Sequence, residues 1–548
     1  MNDDIDAEIH TNDVEFDIDI TQNSDSDLDF GTTPCSILPT DEERESIITD
    51  AIMELTEIMS ENALDFKRED FSNHTVDVLV DGYLCQYFSE LDVTYRSNYS
   101  SATSDEADAL NEVMDAYIRE LADDIVERFY EEVAPPRVSF YRTDYVDTDS
   151  KTEITAKIEK LRAKPQPDQR TPEWYTRRNM LITASAASKA FGTQASVNQL
   201  IYEKCKNYLP ANPLSNMYPQ QQQQQCSVNS PLHWGQRYEP ITVKLYEYRN
   251  STKLGEFGCI QHDTYSFIGA SPDGINVDPD SPLYGRMVEI KNIVNREITG
   301  IPKEEYWVQT QIQMEVCDLD ESDFVETRIK EYESETDFLF DSPDDIHSRT
   351  ITANGNEKGI ILWFQSTPAA PAGAGSVVVS VPTQLYEYAP LGASQEEYDK
   401  WEEDVFAKHE KLRSVWVRTI YWYVDQYSCV LVKRNRLWFE AAVPVLQNTW
   451  CLIERERVSG YEHRAPKRKT TTNGTTNGVD LPNINIKVIK LDIPIVESIA
   501  DTTSEMMVDI TATNMAKTSN VAFIKRPSDV LMKCFKIEDL DLDESKIV

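Results

Sequence analysis

A chain of 548 residues, 40% hydrophobic and 27% charged, is long enough to bury a sizeable core and to divide into two or more domains, which excludes a small stapled module. Its net charge of −42, from 53 Lys and Arg against 95 Asp and Glu, excludes a uniformly basic nucleic-acid coat. Nine cysteines, an odd number with no Cys-x-x-Cys pair, argue against a zinc ribbon or a disulfide framework and for thiols in a reducing compartment.

Residues 1–40 are Asp-rich with scattered Ile and Phe, too charged to bury a core. They read as a disordered acidic segment, either a solvating tail or a strip that mimics DNA and occupies a basic cleft. The start is acidic where a secretory leader would be basic and then apolar, and no run of about 18 apolar residues appears. The expectation is a soluble intracellular protein without membrane contact. Residues 41–145 turn helical: Ile47, Ile48, Ala51, Ile52, Leu55 and Ile58 recur at helical spacing, as do Leu110, Val113, Met114, Tyr117, Leu121 and Ile125. Pro135-Pro136 should close the second helix, and the two stripes should form the core of a small helical domain. Residues 1–150 carry about −32 of the charge, residues 151–330 about −1 and residues 151–210 about +6, so the acid is mostly an appendage.

Residues 151–465 hold the chemistry. Lys160–Arg170 reads as a basic, Pro-containing connector, and Gln220–Gln225 as a low-complexity loop. Glu239 is followed by Pro240, which is well tolerated as the first residue of a helix. The apolar run ending in Phe267-Ile268-Gly269-Ala270 breaks at Ser271-Pro272-Asp273-Gly274, a turn that leaves the Asp273 carboxylate at a sheet end. A second strand, Arg286-Met287-Val288-Glu289-Ile290-Lys291, follows. Alternation puts Glu289 and Lys291 on one face and turns Val288 and Ile290 into packing. Two carboxylates brought together by a hairpin repel, and a hard divalent cation such as Mg²⁺ relieves them, with Lys291 a fixed positive charge alongside. Gln309 and Gln313 lie one turn apart on a helix opened by Pro302 and share a face.

Further on, Glu331–Asp345 is acidic, and 368–375 is a Pro/Ala/Gly linker. The block from Trp416 to Arg457 offers strands at 419–423 and 429–432, then a helix with Trp438, Leu446 and Trp450 to cover the sheet. Residues 466–548 read as linker and tail. Pro466-Lys467-Arg468-Lys469 suits a nuclear import signal or a solvated linker, and Ile484, Ile486 and Val488 suit one strand.

Asp273 followed by Glu289-Ile290-Lys291 resembles the PD-(D/E)XK nuclease signature. Four words in order narrow it: Pro172-Glu173-Trp174-Tyr175-Thr176-Arg177-Arg178 running to Ile182-Thr183-Ala184-Ser185; Trp234-Gly235-Gln236-Arg237-Tyr238-Glu239; the hairpin itself; and Gln309-Thr310-Gln311-Ile312-Gln313-Met314. Together they resemble the lambda exonuclease/YqaJ family of viral recombinases over roughly 165–460, and the run from Asp323 to Tyr332 is most like members from large eukaryotic DNA viruses.

The resemblance implies an α/β fold, a restriction-endonuclease-like core whose mixed central sheet is flanked by helices, here preceded by an N-terminal helical region. It implies a Mg²⁺-dependent 5′-to-3′ exonuclease acting on double-stranded DNA ends in viral recombination or repair, with Mn²⁺ as the substitute ion. Asp273, Glu289 and the Ile290 carbonyl would bind the metal. Lys291 would orient or deprotonate the attacking water, Glu239 would be an acidic ligand or neighbour of the metal, and Gln309 would hydrogen-bond water or phosphate. Arg177, Ser185 and Ser271 would bind the 5′-phosphate, arginine being bidentate to phosphate. A single-strand annealing protein and a ring-shaped homo-oligomer are the implied partners, and the host cytoplasm or nucleus the implied location. This sequence departs from the family in Met180, where glycine is common, and in its acidic N-terminal region. The alternatives are a metal-dependent endonuclease or resolvase of the same superfamily, and a non-catalytic scaffold recruiting replication proteins; the intact Asp273, Glu289 and Lys291 set weighs against the scaffold.

Overall fold

The computed structural model describes residues 39–97, 104–139, 148–169, 171–206, 230–343, 348–366 and 383–466. Most of the acidic segment, the glutamine run, the 368–375 linker and the tail with its basic tetrapeptide and single strand lie outside the described residues.

The chain opens with three helices, α1 (Asp41–Ser60), α2 (Val76–Ser97) and α3 (Ser104–Glu132). Thr40 and Glu43 cap α1 reciprocally, which satisfies two backbone donors at its start. The buried stripe of α1 is Ile48, Ala51, Leu55 and Met59; Ile58, expected on it, is 37% exposed. In α3 Met114, Leu121 and Ile125 are buried as the spacing requires, joined by Ile118 and Phe129, while Val113 faces outward. The helix stops three residues ahead of Pro135. These helices do not close on a core of their own. Their apolar residues belong to one cluster that continues through Phe66 into Trp307, Val308, Trp438 and Leu446. Arg137, 1% exposed, fastens the junction, donating to the Lys67 carbonyl at 2.7 Å and to the Pro302 carbonyl.

Next come α4 (Thr148–Ala163), α5 (Pro172–Asn179), β1 (Ile182–Thr183), α6 (Ala184–Ala187), α7 (Gln194–Lys206) and α8 (Pro231–Asn250). Lys160 is thus helical, and the connector shrinks to the residues after α4. Sheet strands β2 (Leu254–Gly255), β3 (Ile260–Gln261), β4 (Ile268–Ala270), β5 (Gly274–Asn276) and β6 (Met287–Asn292) follow, then α9 (Glu304–Cys317), β7 (Glu321–Glu331), α10 (Glu335–Phe340), β8 (Lys358–Gln365), β9 (Gln384–Tyr388), α11 (Gln395–Lys411), β10 (Val415–Lys433) and α12 (Arg436–Ser459).

Seven strands form the main sheet in the order β2-β5-β6-β7-β10-β8-β9. Only β6 and β7 run parallel within it, joined by α9 as the crossover. A small sheet, β1-β4-β3, lies beside it. Gly269 on β4 permits its close packing, because a Cβ there would stand 2.5 Å from Leu181 Cδ1 and 2.9 Å from the Ile260 carbonyl. The architecture is therefore mixed α/β, a mixed central sheet flanked by helices with further helices at the N-terminus, as the sequence led one to expect.

Two local readings are corrected. The strands expected at 419–423 and 429–432 are one 19-residue strand, β10, whose register shifts between Val424 and Gln426. A bulge absorbs the polar residues there without a turn. Pro240 does not open a helix: α8 starts at Pro231 behind the Ser230 cap and runs through Pro240. None of the cysteines Cys85, Cys205, Cys259, Cys317, Cys429 and Cys451 forms a disulfide. Among the described residues no helix is long and apolar enough to cross a membrane.

Candidate active site

The site grows from the centre of the sheet. Strand alternation on β6 sends Val288 and Ile290 into an apolar cluster with Tyr246 and Val325 and leaves Glu289 and Lys291 on the opposite face. Glu289 is 1% exposed, a position that an isolated carboxylate would not tolerate. It is fully engaged. Its Oε1 accepts from Lys291 Nζ and from Gln309 Nε2 at 2.7 Å, and its Oε2 accepts from Gln313 Nε2 at 2.7 Å. The two glutamines reach the same carboxylate because they stand one turn apart on α9. Gln313 also approaches the Ser271 carbonyl at 3.4 Å.

Lys291 donates weakly to Gln309 Oε1 at 3.3 Å and lies 4.8 Å from the Tyr306 ring centroid. Burial works against its charge, but the Glu289 and Asp273 carboxylates outweigh it and raise the ammonium above its usual range. Asp273 stands in the turn between β4 and β5, and its Oδ2 accepts from the Ile290 N–H at 2.8 Å. Burial, then the charge of Glu289, hold this carboxyl well above the usual carboxylate range, with Glu239 acting in the same direction. Glu239 reaches the neighbourhood on α8, which is pinned to the end of β6 where Thr242 Oγ1 donates to Asn292 Oδ1 at 2.7 Å and Asn292 Nδ2 to the Gly235 carbonyl at 3.4 Å.

Asp273, Glu289, Ile290, Lys291 and Gln309 are therefore brought together. Among the described residues no three acidic, His or Cys side chains form a closed metal cage. What the site offers a cation is the Asp273 and Glu289 pair with the Ile290 backbone beside it. The donor set fits a hard divalent ion. All of it is oxygen, and a carboxyl whose pKa is raised by burial and by a neighbouring carboxylate is relieved by added positive charge.

The cationic side of the site divides the sequence expectation. Arg177 and Arg178 adjoin on α5 but point apart by about 100°. Arg178 Nη2 donates to Ser185 Oγ at 2.9 Å, and its guanidinium stacks 4.3 Å from the centroid of Trp174, one turn earlier. Burial lowers its affinity for the proton, and Cys259, Tyr175 and Glu289 counter that, which sets Arg178 within electrostatic reach of the carboxylate cluster. Ser271 lies on the same side: its hydroxyl and Arg178 both act on the Cys259 thiol, which burial pushes up. Arg177 instead reaches Gln261 Oε1 at 3.4 Å and lines a cavity of about 600 Å³ with Met180, Leu181 and Pro172. No carboxylate of the cluster lines that cavity. The sequence favoured Arg177 over its neighbour Arg178, with which it is easily confused; Trp174, four residues before Arg178, is the signal that distinguishes them.

With this geometry in place the chain can be set beside known proteins. Residues 173–320 match a domain family described as YqaJ-like viral recombinase domain. This stretch of the chain is similar to that family. It contains α5 through α9 and every side chain of the cluster. The chain is also 30% identical over 334 residues to the uncharacterized protein R354 of Acanthamoeba polyphaga mimivirus, a match covering 58% of this chain and 56% of that protein. The chain thus spans about half the length of that relative. Among solved structures it is similar to the alkaline exonuclease LHK-Exo from Laribacter hongkongensis and to LHK-Exo in complex with dAMP, at 17% and 19% identity. Both matches cover 54% of this chain and 98% of the other, with a TM-score of 0.29.

Proposed function

We propose that the YqaJ-like domain makes this protein a divalent-metal-dependent exonuclease that digests double-stranded DNA from a 5′ end, in the recombination or repair of viral DNA. The observation that carries the reading is the buried Glu289 held by Lys291, Gln309 and Gln313 beside a second carboxyl, Asp273. Asp273, Glu289 and the Ile290 carbonyl would hold Mg²⁺ or Mn²⁺. When bound, such an ion would supply a water of lowered pKa and offset charge on the phosphate. Lys291 and Gln309, both hydrogen-bonded to Glu289, would orient the attacking water. Gln313 fixes the carboxylate so that it does not turn away from the ion, and Glu239 adds negative charge from α8. The terminal 5′-phosphate lies on Arg178, Ser185 and Ser271, the assignment moving by one residue from Arg177.

The test is a titration of purified protein with Mg²⁺ on linear duplex DNA, beside the same titration of Glu289→Ala. Cleavage that rises with Mg²⁺ in the wild type and is lost in the variant is the expected result. Equal cleavage by both, or full activity in a chelator, overturns the assignment.

A further inference from the structure

Beneath the C-terminal end of α5 sits a cation that the mechanism above leaves unused. Lys204, on α7, is 7% exposed, and its Nζ donates to the Arg178 carbonyl at 2.7 Å. Arg457, on α12, donates to the Asn179 carbonyl at 2.6 Å and to the Lys204 carbonyl at 3.1 Å. The last carbonyls of a helix lack donors within it and carry partial negative charge, so cations from two other helices hold the backbone that bears Arg178. Arg178 itself meets a hydroxyl and an indole ring, and Lys204 a carbonyl. Among the described residues neither forms an ion pair with a carboxylate.

Lys204 is buried beside the half-buried Arg178, a costly place for a charge without a counter-ion, and an anion placed beside the pair offsets that cost. The Lys204 ammonium records the strain: burial, and then the Arg178 charge, push it down to about 7. The groups acting on it are Arg178 from α5, Cys259 ahead of β3, Arg457 from α12 and Glu203 on its own helix. Cys259 and Glu203 are the two that would favour the charge, and the first is a thiol whose own proton burial retains.

We propose that Lys204 is a positioning and specificity-determining residue of the end-phosphate subsite, fixing the Arg178 backbone and adding the positive charge that favours a doubly charged terminal phosphate over a singly charged internal phosphodiester. The inference rests on the nuclease reading for its substrate and concerns the cationic side alone. A terminal phosphomonoester loses its second proton near pH 6 and carries almost two charges at neutral pH, whereas a diester carries one. A site in which neither Arg178 nor Lys204 is ion-paired to an acid among the described residues favours the more highly charged phosphate.

The experiment compares binding of short duplexes with 5′-phosphate or 5′-hydroxyl ends in EDTA, where cleavage does not interfere. Wild type should prefer the 5′-phosphate by about tenfold or more. Lys204→Met should bring the ratio below about threefold, and Lys204→Arg, which keeps the charge, should retain most of it. Calorimetry of the wild type at pH 7 in two buffers of different ionisation enthalpy should record proton uptake with the phosphorylated duplex, absent in Lys204→Met, a readout that packing alone would not move. Lys204→Gln serves if the Met variant does not fold, and the wild-type proton uptake needs no variant. A folded Lys204→Met with the full wild-type ratio, or a wild type without proton uptake, overturns the role of Lys204. A wild type with no preference at all overturns the end-phosphate assignment beneath it, and this inference with it.

Discussion

The carboxylate half and the cationic half of the site rest on different supports. Glu289 and Lys291 stand on β6, near the middle of a seven-stranded sheet, and α9 closes over them with two glutamines from one face. Arg177 and Arg178 stand on an eight-residue helix with no buried residue of its own, tied down at its end by Lys204 and Arg457. The comparison teaches where precision comes from. A strand in mid-sheet fixes which way a side chain points by alternation, whereas a short surface helix takes its rotation from contacts made by distant parts of the chain.

The largest effect should come from the sheet-borne half. Glu289→Ala removes the proposed metal ligand and the shared acceptor of Lys291, Gln309 and Gln313, so cleavage in Mg²⁺ should fall by at least about a thousandfold, several kcal/mol of transition-state stabilisation. Single-turnover rates on linear duplex check it. The helix-borne half should give a smaller and more selective loss. Arg178→Ala removes the proposed charge-assisted contact to the end phosphate, worth about 1.5–3 kcal/mol, and the preference for 5′-phosphorylated over 5′-hydroxyl ends should drop about ten- to a hundredfold. Arg177→Ala should change that preference by less than about threefold, since a partly exposed contact to Gln261 is a minor term. If the two variants exchange these outcomes, the phosphate belongs on Arg177 and the rotation of α5 is misread.

A third variant asks whether support from elsewhere in the chain matters on the sheet side too. Arg137→Met leaves the Lys67 and Pro302 carbonyls without their buried donor just ahead of α9, and stability in denaturant should fall by about 3 kcal/mol. A loss under about 0.5 kcal/mol would mean that the N-terminal helices only rest on the α9 entrance. The smallest effect concerns the acidic segment. Deleting residues 1–40 should tighten DNA binding a few-fold at low salt and not at all at high salt, where screening is complete. Anisotropy titrations at two salt concentrations measure it, and equal affinities at low salt would leave the segment a solvating tail.

How much was legible in the sequence follows the same division. Asp273, Glu289 and Lys291 could be read because a turn signal and a period of two fix their placement, and Gln309 with Gln313 because a helical turn separates them. Arg178 was harder. Two adjacent arginines differ only by the rotation of α5, and the deciding contacts, Trp174 and Ser185, are visible only once α5 is docked. Lys204 and Arg137 act on backbone carbonyls 26 and 165 residues away in sequence, which no local pattern announces. The start of α8 was misread for a related reason: proline favours a first turn, and both Pro231 and Pro240 qualify until Ser230 is seen to cap the helix. The sharing of one apolar cluster between α1, α3, α9 and α12 is likewise a tertiary fact, since a helical stripe does not specify what it packs against.

In the proposed function a metal-binding carboxylate side and a phosphate-binding cationic side act together at a DNA end. The measurement that tests it most directly places purified protein and Mg²⁺ on linear duplex labelled separately at each strand's 5′ and 3′ termini, beside a closed circular duplex of the same sequence. The account predicts early release of the 5′ label as mononucleotide, retention of the 3′ label on long strands, faster digestion of 5′-phosphorylated ends, and an intact circle. Linearisation of the circle at a rate comparable to digestion of the linear duplex would contradict it and assign the same carboxylates to an endonuclease.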